Sequence, residues 1–129
     1  MRSILKVLKL EGLNNIYIVA TFMDDFSNLF GKNKGDTKRY REYLFRWLKR
    51  LDEEGLSVLS YDQFEKLEDT DIKLYAIRHP NSQINERYIF ITGYKNGYIL
   101  LTSFLEKSTD DYNNAIRRSQ NIYRQLELE

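Results

Sequence analysis

Apolar and polar positions follow distinct rhythms along this chain, and each rhythm predicts an element. "IYIVATF", Ile16 to Phe22, is a nearly unbroken run of β-branched and aromatic residues, which predicts a buried strand. Ser3 to Leu10 is expected to pair with it through "EGLNN", a short helix being the alternative there. Asp24 and Asp25 suit the cap of a short helix reaching Phe30. Beyond the polar loop "GKNKGDTK", Tyr40, Tyr43, Leu44, Trp47, Leu48 and Leu51 recur at helical spacing on one face, and Gly55 supplies a stop. Leu56 to Thr70 has no clear period. Strands are predicted at Ile72–His79, Arg87–Gly93 and Tyr98–Leu105, the last two joined by a tight hairpin at Asn96-Gly97, residue types that tolerate positive φ. Ser108 and Asp111 then have the spacing of a capping box, with Asp in place of the usual Glu. They precede an amphipathic helix whose stripe is Tyr112, Ala115, Ile116, Ser119, Ile122, Tyr123 and Leu126.

These elements predict an α+β fold, in which an antiparallel sheet, formed by an N-terminal strand and a three-stranded meander, packs against N-terminal helices together with a C-terminal helix. A chain of 129 residues suits a single domain over 1–129, with an extra N-terminal strand or hairpin in its first fifteen or so residues. No apolar run approaches a membrane span, and Lys6 and Lys9 interrupt the opening before it resembles a signal sequence, so a soluble cytoplasmic protein is expected. The absence of cysteine forbids a disulfide framework or thiolate metal site. A lone His79 cannot build a histidine metal cluster, and no cofactor is expected.

Charge adds a direction to this picture. The net charge is only +1, yet Lys38, Arg39, Arg41, Arg46, Lys49 and Arg50 cluster against Glu42 alone. From Ile72 to Arg124, eight basic residues face four acidic ones, while acidic residues concentrate in Asp52–Asp71. A polyanion could find local positive surface on such a protein. The basic helix has a plainer reading as a solvated outer face.

Several basic residues also stand where strands end, which is where a rigid sheet presents polar groups outward. Arg78 closes one predicted strand, Arg87 opens the next, and Lys107 follows the last. In a meander, Arg78 and Arg87 come close, and Lys107 joins them if the last strand ends on that side. The alternative is that the arginines pair with Glu86 or Glu106 as ordinary surface ion pairs, each worth ~0–1 kcal/mol. His79, beside Arg78, has the chemistry of a base near neutrality, although a strand-end histidine can equally be incidental. "GKNKGD" lacks the Gly-Lys-Ser/Thr ending of a phosphate loop.

The stretch "IKLYAIR", "ERYIFI", "GYILLTSFLEKS" and "DDYNNAIRR", in that order, resembles the RelE/ParE/HigB superfamily of small bacterial toxins, particularly its phage-derived HigB-like group. The likeness covers about Lys38 to Tyr123. It implies a RelE-like fold and the toxin of a type II toxin–antitoxin pair, a ribosome-dependent endoribonuclease that cuts messenger RNA without a metal. In such chemistry the ribose 2′-hydroxyl attacks its own phosphate, and fixed cations stabilise the charge that develops. Carried over by position, Arg78 and Arg87 would bind phosphate and Lys107 would stabilise the transition state or leaving oxygen. Tyr112 would orient or deprotonate the nucleophile, or stack on a base. Lys73, His79, Arg117 and Arg118 are the expected RNA contacts. Glu106 departs from the family by standing where relatives commonly place a basic residue. The resemblance implies a small antitoxin, the ribosome and messenger RNA as partners, and no membrane; the oligomeric state is left open. The competing reading is a non-catalytic binding module on the same scaffold, directed at gyrase or retained as a degenerate phage interaction protein.

Overall fold

The computed structural model describes residues 5–126. Strand β1 (Val7–Lys9) turns back into β2 (Ile16–Val19), so the hairpin option holds for the described residues; Ser3 and Ile4 of the expected strand lie outside them. Helix α1 (Phe22–Asn28) begins earlier than expected, after Thr21. Asp24 and Asp25 lie inside its first turn, where carboxylates complement the positive end of the helix, instead of capping it.

Helix α2 (Lys34–Glu54) takes in more than half of the predicted loop, because the Asn33 side chain accepts a 2.9 Å hydrogen bond from the Asp36 amide and starts the helix there. Its predicted stripe faces inward, with Tyr40, Leu44, Leu48 and Leu51 buried. Gly55 ends it with φ of 65°, a conformation that side chains other than glycine resist. The segment without period contains a 3₁₀ turn, Gly55–Ser60, and a short strand β3 (Phe64–Lys66) that sequence periodicity did not reveal.

The predicted meander follows as β4 (Tyr75–Arg78), β5 (Glu86–Tyr94) and β6 (Gly97–Leu105), antiparallel neighbours throughout. The β5–β6 turn corrects one detail. Positive φ falls on Lys95 and Asn96, at 48° and 64°, so these are the central residues and Gly97 is already paired with Tyr94. Gly97 is required for a different reason: a Cβ there would lie 2.2 Å from the Asn15 carbonyl oxygen, where β2 starts beside β6. Helix α3 (Thr109–Arg124) carries the predicted capping box, Ser108 and Asp111 each bonding the other's backbone amide.

The six strands form one sheet in the order β1-β2-β6-β5-β4-β3. The fold is α+β as expected, but the sheet is mixed, because β2 runs parallel to β6. Hydrophobic pattern reports burial and not direction, and the long connection from β2 to β6 passes through both α1 and α2 and permits the parallel arrangement. Side-chain alternation assigns the layers. Tyr88 packs against Phe22 and Phe26 of α1, and Phe64 meets Trp47 of α2. The opposite face of the sheet carries α3, where Thr102 and Ser119 share a buried 2.7 Å hydroxyl bond and Phe104 meets Tyr112. Asp52 anchors the β1–β2 turn to α2 by accepting from the amides of Asn14 and Asn15 at 2.9 and 2.7 Å. No helix among the described residues is long and apolar enough to cross a membrane.

Candidate functional site

Three strand ends meet at one end of the sheet. Arg78, at the end of β4, is the register partner of Arg87 near the start of β5, and Arg87 is in turn opposite Phe104 near the end of β6. Residues in register share a face, so both arginines lie on the α3 side. Lys107 follows β6 at the same end, is exposed, and has no ion pair among the described residues; its backbone amide donates to Asp111 at 2.8 Å. The geometry thus gathers the residues expected at strand ends.

Each is nonetheless engaged differently. The Arg78 guanidinium donates from Nε and an Nη to the Asp62 carbonyl oxygen at 3.0 and 2.7 Å, which fixes it in place without neutralising its charge. Arg87 donates to the Glu106 carboxylate, the acid pairing raised as the alternative, and its guanidinium lies 5.7 Å from the Tyr112 ring centroid. Tyr112 donates its hydroxyl to Glu65 of β3, and burial, reinforced by that hydrogen bond, raises its pKa well above the usual phenol range. A phenol held neutral in this way can position or stack on a substrate but is poorly disposed to remove a proton.

The other face of the same end holds His79 and Glu86. Glu86 begins β5, is fully buried, and accepts hydrogen bonds from His79 Nδ1 and from the Ser82 hydroxyl. The His79 ring lies flat on Tyr43 of α2, centroids 3.5 Å apart and planes within 10°, while Tyr40 meets it edge-on at 5.8 Å. The Tyr43 hydroxyl donates to the Arg78 carbonyl at 3.3 Å, tying the histidine's support to the arginine strand. Burial, and secondarily the negative charge of Glu86, push the Tyr43 phenol up to about 12. An open depression of about 460 Å³ joins the two faces around the sheet end, with Arg78, Arg87, His79, Asn81 and Asn85 among its walls.

The remaining sequence candidates lie elsewhere. Lys73 precedes β4, at the end opposite Arg78, so the strand itself separates it from the depression. Arg117 is exposed on α3 and donates to Asn114 one turn back. Arg118 donates to the Ser103 carbonyl at 3.0 Å and lies 3.8 Å from Asp25. Because β2 pairs with β6 only as far as Leu100, the Ser103 carbonyl is on an edge without a strand partner, and Arg118 covers it. Sequence reading offered Glu86 only as a surface partner for the arginines, whereas it is buried against His79 and Ser82, and it missed Ser82, Glu65 and Asn85. The only signal was a charged residue opening an apolar strand at Glu86, which reads as a surface position until the sheet is assembled.

Among the described residues, no three His, Cys, Asp or Glu side chains converge as metal ligands. No family model matches the chain, and no curated protein or solved structure matches it.

Proposed function

We propose that the protein is the toxin of a type II toxin–antitoxin pair and cleaves ribosome-bound messenger RNA by 2′-hydroxyl attack on the adjacent phosphate. The observation that carries this reading is the register pairing of Arg78 with Arg87 beside His79 in one open depression. Two guanidiniums on adjacent strands offer paired donors to a phosphoryl group, and a nearby imidazole offers proton transfer, so the site combines the parts such a reaction needs. Lys107 is exposed just beyond β6 at the same end of the sheet, a position suited to the leaving oxygen's charge, and Tyr112 lies against the Arg87 guanidinium. Arg39 and Arg46 of α2, against Glu42 alone, line an adjoining depression that shares His79, which favours an anionic ligand.

The ion pair between Arg87 and Glu106 favours a second reading, a binding module without catalysis, since a carboxylate occupies the place a phosphate would take. Induced expression separates the two. Growth arrest with new transcript 5′ ends inside translated codons, abolished by Arg87→Ala, is the expected result. Arrest with intact transcripts and damaged DNA, or normal growth, would turn the assignment to the binding module. The antitoxin would be a small protein that covers this surface.

A further inference from the structure

We propose that His79 is the general base of this site and Glu86 its positioning residue, a dyad that takes the proton of the attacking 2′-hydroxyl. The inference rests on the reading of the protein as an RNA-cleaving enzyme. It starts from the cost of Glu86. A carboxylate with no solvent exposure is expensive to bury, and here it is placed against a histidine and a serine with no arginine or lysine paired to it among the described residues. A purely structural strand end would be better served by an apolar residue.

The arrangement around the imidazole specifies its tautomer and its aim. A carboxylate only accepts, so Nδ1 carries the hydrogen donated to Glu86, and in the neutral ring this leaves the Nε2 lone pair available. Among the described residues Nε2 makes no hydrogen bond. Tyr43 supports one ring face and Tyr40 approaches at an edge, so the ring is held on several sides while its side chain keeps 23% of its exposure. His79 lines both the depression of Arg78 and Arg87 and the neighbouring one, of about 370 Å³, that contains Arg39 and Arg46. A single RNA strand crossing the sheet end would therefore pass over Nε2 with cations on either side.

The step balances as follows. The 2′-hydroxyl proton moves to His79 Nε2 as O2′ bonds to phosphorus, the P–O5′ bond breaks, and O5′ takes a proton from water at the open mouth of the depression. The hydroxide so formed recovers the proton from His79, leaving a 2′,3′-cyclic phosphate and a 5′-hydroxyl. In Glu86→Gln, the amide NH₂ can face Nδ1 and favour the opposite tautomer, which puts the proton on Nε2.

Single-turnover cleavage of ribosome-bound messenger RNA tests this with full-length wild-type protein, His79→Ala, His79→Gln, Glu86→Gln and Arg87→Ala. His79→Gln retains a donor for Glu86 but carries no base, so it separates loss of the base from loss of the fold. The expected result is a ~10²- to 10⁴-fold lower maximal single-turnover rate constant in both histidine variants and in Glu86→Gln, with the half-saturating protein concentration nearly unchanged. Added free imidazole should restore part of the activity of His79→Ala and none to Arg87→Ala. Wild-type cleavage that His79→Gln leaves intact would overturn the dyad and spare the nuclease reading. Loss in His79→Ala without rescue by imidazole, alongside full activity in His79→Gln, would assign His79 a packing role. Absence of cleavage by the wild-type protein would overturn both.

Discussion

Arg87 donates to Glu106 while its guanidinium rests against Tyr112, so a phosphate that reaches it must replace a carboxylate. Both side chains of the pair are partly exposed, at 20% and 26%, and an ion pair in that setting is worth only ~0–1 kcal/mol. The competition is therefore winnable by an RNA phosphate that Arg78 holds at the same time. Glu106→Gln removes the competing charge, and we expect it to bind an uncleavable RNA oligonucleotide up to ~5-fold more tightly than the wild type, as read by fluorescence anisotropy. Equal or weaker binding would show that Glu106 does not screen Arg87 from phosphate. The same residue shows what a sequence can reveal at this scale. Arg78, Arg87 and Lys107 were recognisable as strand-end cations, and the pairing of Arg87 with Glu106 was recognisable as an alternative. The partnership of His79 with Glu86 was not, because it depends on a turn that folds the chain between them back on itself.

At the level of elements, local signals with short-range causes were legible. The α2 stripe, the Gly55 stop, the capping box of α3 and the β5–β6 hairpin are all found. What the sequence concealed depends on contacts distant along the chain. Strand β3 is too short and too charged to display a period, and it is held by pairing with β4. The parallel β2–β6 pair is decided by how a long connection wraps, and its cost is visible at Gly97. Asn15 approaches so closely that Gly97→Ala forces the two strands apart, and we expect a loss of about 1–3 kcal/mol in urea unfolding. Retained stability would mean that the β2–β6 contact is looser than the register describes. Arg118 shows the same limit: a basic residue on a helix reads as an RNA contact, and its hydrogen bond to a strand-edge carbonyl is visible only once the sheet is assembled.

For the molecule as a whole, helices on both faces of the sheet leave its Arg78 end open, and the supporting phenols titrate late. Tyr43, Tyr88 and Tyr112 all have raised pKa values, chiefly through burial, with the Glu86 charge next for the first two and the Glu65 hydrogen bond next for Tyr112. A phenol raised in the folded state favours folding below its unfolded value, about 10, and loses that contribution as pH rises toward the folded value. Stability should hold steady up to pH ~10 and fall above it, and phenolate absorbance should appear in two steps, the later one together with unfolding. A single smooth titration of all ten tyrosines with no loss of stability would contradict this burial. RNA cleavage at the open end of the sheet is the proposal from which the other expectations follow. Its most direct test is the chemistry of the ends left on a messenger incubated with purified protein and programmed ribosomes. New 2′,3′-cyclic phosphate and 5′-hydroxyl termini that vanish with Arg87→Ala are expected; a messenger left intact by the wild-type protein, or cut equally by the variant, would overturn the nuclease proposal.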